Sequence, residues 1–142
     1  MTDMAEILET FDLLGDWDQR YQYLIELGEK LPAMPEELKT EENRVKPCMS
    51  TVHVAAQADP HQPGHVRYQG DCDTAVIKGV LALLIELFSG RSPEEIQAMD
   101  TDALFEQLQL AEHLSPNRHV GIYALVDVMK SQARALREAQ VA

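Results

Sequence analysis

Apolar residues recur at intervals of three and four from the start of the chain. Met4, Ile7, Leu8, Phe11 and Leu14 predict an amphipathic helix over 3–14, with Gly15 in a stop position. Asp16 then offers an N-cap, and Trp17, Tyr21, Leu24, Ile25 and Leu27 continue in helical phase, with Gly28 near the far end and Pro32 beyond it. Residues 31–43 hold Pro32, Pro35 and a run of Glu and Lys without a period, which reads as a connecting loop. From Ser50 to Gln57 the period changes to two, because Thr51, His53 and Ala55 alternate with Val52, Val54 and Ala56. Asp59-Pro60 and Pro63-Gly64 mark a turn, and His65 to Gln69 is extended again, so an antiparallel hairpin is expected.

Residues 74–89 are apolar on nearly every face, which suits a helix buried at the centre of the molecule, with Asp73 as its N-cap and Gly90 past its end. Ser92-Pro93-Glu94-Glu95 is a capping box with proline at the first helical position, opening a short helix to about Met99. A further helix is expected over 101–110. Ser115-Pro116 then opens a long one, in which Ile122, Leu125, Val126 and Met129 repeat before a basic, frayed tail. This succession predicts an α+β fold, a small antiparallel sheet with helices packed around a central apolar helix. The 142 residues contain no repeat or linker, so one domain over 1–142 is expected.

Charge narrows the choice of partners. The formal net charge is -12, which repels phosphate backbones and anionic lipid, so neither nucleic acid nor a membrane is an expected partner. No apolar run is long enough for a membrane span, and the acidic first twenty residues have the wrong sign for a leader, so a soluble, cytoplasmic protein is expected. The acids are concentrated before residue 45 and after residue 92. The more neutral middle holds both cysteines, Cys48 and Cys72, together with His53, His61 and His65.

Two cysteines are too few for a disulfide framework, which favours thiol chemistry. Cys48 follows Arg44 and Lys46, and nearby cations favour the nucleophilic thiolate; burial as a small hydrophobe is the competing explanation. Cys72 lies between Asp71 and Asp73, which disfavour its thiolate, and a structural role is favoured for it. Zinc on Cys48, His53, His61, His65 and Cys72 fits poorly, since no two closed ligand pairs occur at structural-zinc spacing. Phosphate-loop, GxSxG and HExxH motifs are absent.

The order of several stretches resembles one known family. Trp17 to Pro32 (WDQRYQYLIELGEKLP) is followed by Asn43-Arg44-Val45 through Cys48-Met49-Ser50-Thr51-Val52. Asp71-Cys72-Asp73 through Val76-Ile77-Lys78-Gly79 comes next, then Gly90 to Ile96 (GRSPEEI) and Leu114-Ser115-Pro116-Asn117-Arg118. Together they are similar to the SufE family of sulfur-acceptor proteins, and N-x-V-x-x-C-x-S-x-V is the most specific part. The resemblance implies a compact α+β fold like that of the iron–sulfur scaffold proteins. It also implies that Cys48 takes sulfane sulfur as a persulfide from a pyridoxal-phosphate cysteine desulfurase (SufS-like or CsdA-like), stimulates that enzyme, and passes the sulfur to an iron–sulfur cluster assembly scaffold. No resident cofactor or metal is implied on this chain, which acts as a transfer partner more than as a stand-alone enzyme.

Carried over position by position, the resemblance makes Cys48 the persulfide carrier and Arg118 a partner-facing or site-ordering residue. It gives Asp73 a similar role, although capping alone would also explain that residue. Three positions depart from the family pattern: Pro47 for glycine, His53 for tryptophan and Cys72 for serine. His53 and Cys72 are therefore possible modulators, and a non-catalytic adaptor or regulator of a desulfurase is the alternative function. Strand alternation places His53 on the face opposite Val52 and Val54.

Overall fold

The computed structural model describes residues 4–46, 51–114 and 116–141; for Met4, Ala111, residues 116–119, Gln140 and Val141 only the backbone is described. Helix α1 runs Met4–Leu14 and buries Ile7 and Phe11. Gly15 closes it at φ +76°, a left-handed turn that a side chain resists. The Asp16 side chain then accepts the Gln19 N–H at 2.9 Å and starts α2, Trp17–Glu29. A short 3₁₀ turn at Glu36–Leu38 leads toward the hairpin of β1 (Val52–Ala58) and β2 (Val66–Cys72). Helices α3 (Ala75–Phe88), α4 (Pro93–Ala98), α5 (Thr101–Gln107), α6 (Leu110–His113) and α7 (Pro116–Val141) complete the chain.

The two strands are antiparallel, with Val52 opposite Cys72, Val54 opposite Gly70 and Ala58 opposite Val66. Their period of two puts Val52 and Val54 with Val66, Tyr68, Gly70 and Cys72 on one buried face. Helix α3 lies against β2 on that face, and α7 lies against β1. The Tyr68 hydroxyl donates to the Met129 carbonyl of α7 at 2.7 Å, so a buried polar tip is satisfied inside the core. As the sequence predicts, α3 is buried almost all round, from Ile77 to Phe88. The α+β class and the central apolar helix are both present.

Several boundaries moved, each for a physical reason. Gly28 is the penultimate residue of α2, near its far end as expected, and it faces Gly79 of α3. A Cβ on Gly79 would stand 2.1 Å from the Leu24 carbonyl oxygen, so the two helices cross backbone to backbone. The single helix expected over 101–110 is two, broken at Gln109 with φ +59°. At about 100° per residue, one continuous helix would point Leu108 and Leu110 in nearly opposite directions, and the left-handed turn lets both become fully buried. The tail of α7 is not frayed after Met129. Ala133 is buried, Arg134 donates to the Gln97 side chain at 3.1 Å, and Arg137 pairs with Glu94 at 3.0 Å, so α4 holds the helix as far as Arg137. Strand β2 extends three residues past Gln69. The loop before the hairpin supplies Asn43 and Val45 as a further edge: Val45 N–H donates to the Val52 carbonyl and Val54 N–H to the Asn43 carbonyl, both at 2.9 Å.

Candidate functional site

Cys48 lies outside the described residues with its neighbours Pro47, Met49 and Ser50, and both of its flanks are described. On the upstream side Val45 is buried and bonded to Val52. Asn43 fixes this flank further, since its amide donates to the Leu38 carbonyl at 2.8 Å. Gln132 of α7 reaches the same place, donating to the Val54 carbonyl at 2.7 Å. On the downstream side Thr51 and Asp73 form a ring: the Thr51 N–H donates to Asp73 Oδ1 at 3.0 Å, and the Asp73 N–H donates to the Thr51 carbonyl at 3.2 Å.

That ring corrects the expectation that Asp73 is the N-cap of the central helix. Its own N–H continues the β1–β2 ladder by one step, so the helix begins a residue later. Thr74 occupies the N-cap position of α3 without a side-chain cap bond. The Asp73 carboxylate instead accepts the Thr51 N–H and, at 3.3 Å, the Thr74 hydroxyl, joining the residue at the head of β1 to the start of the central helix. This is an ordering geometry that residue type alone did not distinguish from a cap.

Ion pairs surround the flanks. Glu41 accepts Lys46 at 2.7 Å and lies 3.7 Å from Arg44, and the Lys46 hydrogen bond holds its carboxyl below the usual carboxylate range. The two cations that the sequence offers to a Cys48 thiolate therefore already share a carboxylate. Asp71 lies between Lys39 at 3.2 Å and Lys78 at 3.3 Å. Partial burial pushes its carboxyl up, and hydrogen bonds from Lys39, the Cys72 backbone and Lys78 together outweigh that, leaving it below the ordinary value.

Cys72 is 7% exposed and opposes Val52 in the sheet, and its Sγ lies 3.4 Å from the Thr74 N–H and 3.6 Å from the Thr74 carbonyl. It is held as a core thiol. His53 is half-buried on the face opposite Val52 and Val54, as alternation predicts, with Asp71 across the ladder on one side and Arg44 on the other. The Arg118 side chain lies outside the described residues. His113, five positions before it, stacks on Trp17 with ring centroids 4.0 Å apart, and its carbonyl accepts the Tyr21 hydroxyl. The Trp17–Pro32 stretch thus meets the residue just before the Leu114–Arg118 stretch, almost a hundred positions away. Among the described residues no group of three or more His, Cys, Asp and Glu side chains is placed to hold a metal ion, and no helix is long and apolar enough to cross a membrane.

A family profile described as "SufE: Fe-S metabolism associated domain" matches residues 5–133. The chain belongs to the SufE family. Two relatives are similar over nearly the whole chain. An uncharacterized SufE-like protein of Rhizobium meliloti (strain 1021) is 36% identical over 135 residues, covering 94% of this chain and 96% of its own length. Another from Rhizobium etli is 35% identical over 136 residues, covering 94% and 91%. The solution structure of a hypothetical protein from Thermus thermophilus superposes with a TM-score of 0.75 at 26% identity, covering 93% of each chain. SufE membership gives the chain a place in Fe-S metabolism, and the match takes in all the flanking geometry described above.

Sequence reasoning missed Lys39, Glu41, Lys78 and Gln132 as parts of this region. Lys39 and Glu41 stood in a stretch without a period. Gln132 lies on a helix 78 positions beyond Val54, the residue it bonds. Asn43 was visible only as the first letter of the family motif, and the structure shows what it holds.

Proposed function

We propose that this SufE protein is a sulfur acceptor whose Cys48 receives sulfane sulfur from a pyridoxal-phosphate cysteine desulfurase in the cytoplasm, stimulates that enzyme, and hands the sulfur to an iron–sulfur assembly scaffold. The observation that supports this reading is the SufE family match over residues 5–133, which takes in Cys48 between two flanks tied by Val45–Val52 and Thr51–Asp73. In the transfer the Cys48 thiolate attacks the outer sulfur of the donor's persulfide. The donor's S–S bond breaks, its cysteine leaves as a thiolate, and Cys48 carries the new persulfide. No oxidant or resident cofactor is needed, because one S–S bond replaces another. Arg118, by its place in the resemblance, takes a partner-facing or site-ordering role, and Asp73 a similar one, for which its bond to Thr51 favours ordering.

The test is incubation with a cysteine desulfurase and free cysteine, followed by peptide mass spectrometry. The expected result is a gain of about 32 Da on the Cys48 peptide that is absent in Cys48→Ser and kept in Cys72→Ser. Binding to the desulfurase without any mass gain would identify an adaptor instead. Equal loss in both variants would make Cys72 part of the transfer.

A further inference from the structure

At the end of the hairpin remote from Cys48, along the outer edge of β2, the surface opens into two adjoining lobes. The wider is about 570 Å³ and the narrower about 230 Å³. Arg67, Glu86 and Ser89 line both. Arg67 is five residues up β2 from Cys72, or about 16 Å along the strand, so this groove is separate from the sulfur-transfer region. The narrower lobe has an apolar wall of Leu31, Pro32 and Ile85.

Two charged side chains of this groove have no hydrogen-bonding or ion-pair partner among the described residues. Glu86 Oε2 is closed off from solvent and has no hydrogen-bond partner. The only other acid lining the wider lobe, Asp59, already accepts the His61 N–H at 2.9 Å. Arg67 makes no ion pair among the described residues, and it does not reach Glu86, although both line the same two lobes. A carboxylate in such a place calls for a hydrogen-bonding cation, and a guanidinium calls for a planar anion.

We propose that this groove is a binding site for a free α-amino acid with an apolar side chain. The ligand's ammonium meets Glu86, its carboxylate meets Arg67, and its side chain lies against Leu31, Pro32 and Ile85. Opposite charges that line the same lobes without pairing match the two charged ends of one small zwitterion. The proposal does not depend on sulfur transfer at Cys48.

The experiment is an amide-shift NMR titration of the full chain with L-alanine, L-leucine and L-cysteine, alongside ethylamine and propionate, each of which keeps one charge only. The expected result is saturable shifts at Gly70, Ser89 and Gly90 with the amino acids, and roughly tenfold or greater weakening for either single-charge analogue and for Glu86→Gln. Arg67→Gln, at an exposed position that leaves the core untouched, is expected to weaken binding similarly. The absence of saturable shifts with any amino acid would overturn the proposal. Equal binding of the single-charge analogues, or of both folded variants, would overturn it as well.

Discussion

Replacing Gly79 with alanine tests the helix crossing on which the rest of the fold is built. The added Cβ would lie 2.1 Å from the Leu24 carbonyl oxygen, 2.5 Å from its carbonyl carbon and 2.9 Å from its Cβ. Ordinary carbon–oxygen contact begins at about 3.3 Å, so α2 and α3 would have to separate by about 1 Å. No rotamer change relieves the clash, since the obstacle is backbone. Alanine in a helix interior gains about 1 kcal/mol over glycine, whereas overpacking of this kind costs about 3 kcal/mol or more, leaving a net loss of about 2 kcal/mol or more. Gly28→Ala is the internal control: its Cβ would meet Gly79 N at 3.0 Å and Lys78 C at 3.1 Å, a milder conflict that largely cancels the propensity gain. Urea denaturation followed by far-UV circular dichroism measures both. A Gly79→Ala protein as stable as the parent, or less affected than Gly28→Ala, would refute the backbone crossing.

Three further predictions concern single side chains. Burial pushes the Tyr68 phenol far above its usual range, and Tyr23 and Tyr123 are raised as well. In the unfolded chain these phenols ionise at about pH 10, so their contribution is intact below that pH. Stability is expected to fall above it by up to about 1.4 kcal/mol per pH unit through Tyr68, with smaller contributions from the more exposed Tyr23 and Tyr123, and Tyr68→Phe should flatten the alkaline fall as read by urea midpoints. Glu41→Gln releases Arg44 and Lys46 from their shared carboxylate, and the rate of Cys48 alkylation by iodoacetamide at neutral pH is expected to rise; an unchanged rate would show that those cations do not act on the thiol. Asp73→Ala removes the acceptor for the Thr51 N–H, so persulfide formation on Cys48 is expected to slow several-fold, while Asp73→Asn, which keeps an oxygen at that place, retains most of the rate. Equal defects in the two would point to the charge instead.

What the chain reveals in advance depends on whether the determinant is local. Helices α1, α2, α3 and α4 were legible because periodicity and caps lie within a few residues of one another, as with Asp16 and the Ser92–Glu95 box. The hairpin was legible for the same reason, but the end of β2 was not. Gly70, Asp71 and Cys72 have little strand character, and they are held there by their partners Val54, His53 and Val52 and by Lys39 and Lys78. The break at Gln109 was hidden because it answers to where Leu108 and Leu110 must go, which a local pattern does not record. Cys48 itself was identified by motif, and no period or composition singled it out.

Charge shows the same limit more sharply. Counted along the chain, Arg44 and Lys46 look like activators of a thiolate, and Asp71 and Asp73 look like opponents of one. In the folded protein Glu41 takes up the first two, Lys39 and Lys78 enclose Asp71, and Asp73 is occupied by a backbone N–H. Among the described residues Lys39, Arg44, Lys46 and Lys78 stand beside Glu41, Asp71 and Asp73, so the flanks of Cys48 form a nearly neutral patch on a chain of net charge -12. On the sulfur-transfer reading, such a patch lends little standing field to the thiol. The reaction then depends on how the two anchored flanks present Cys48 and on the charges the donor enzyme brings with it, which is why the rate after Glu41→Gln is the measurement that separates intrinsic activation from activation on docking.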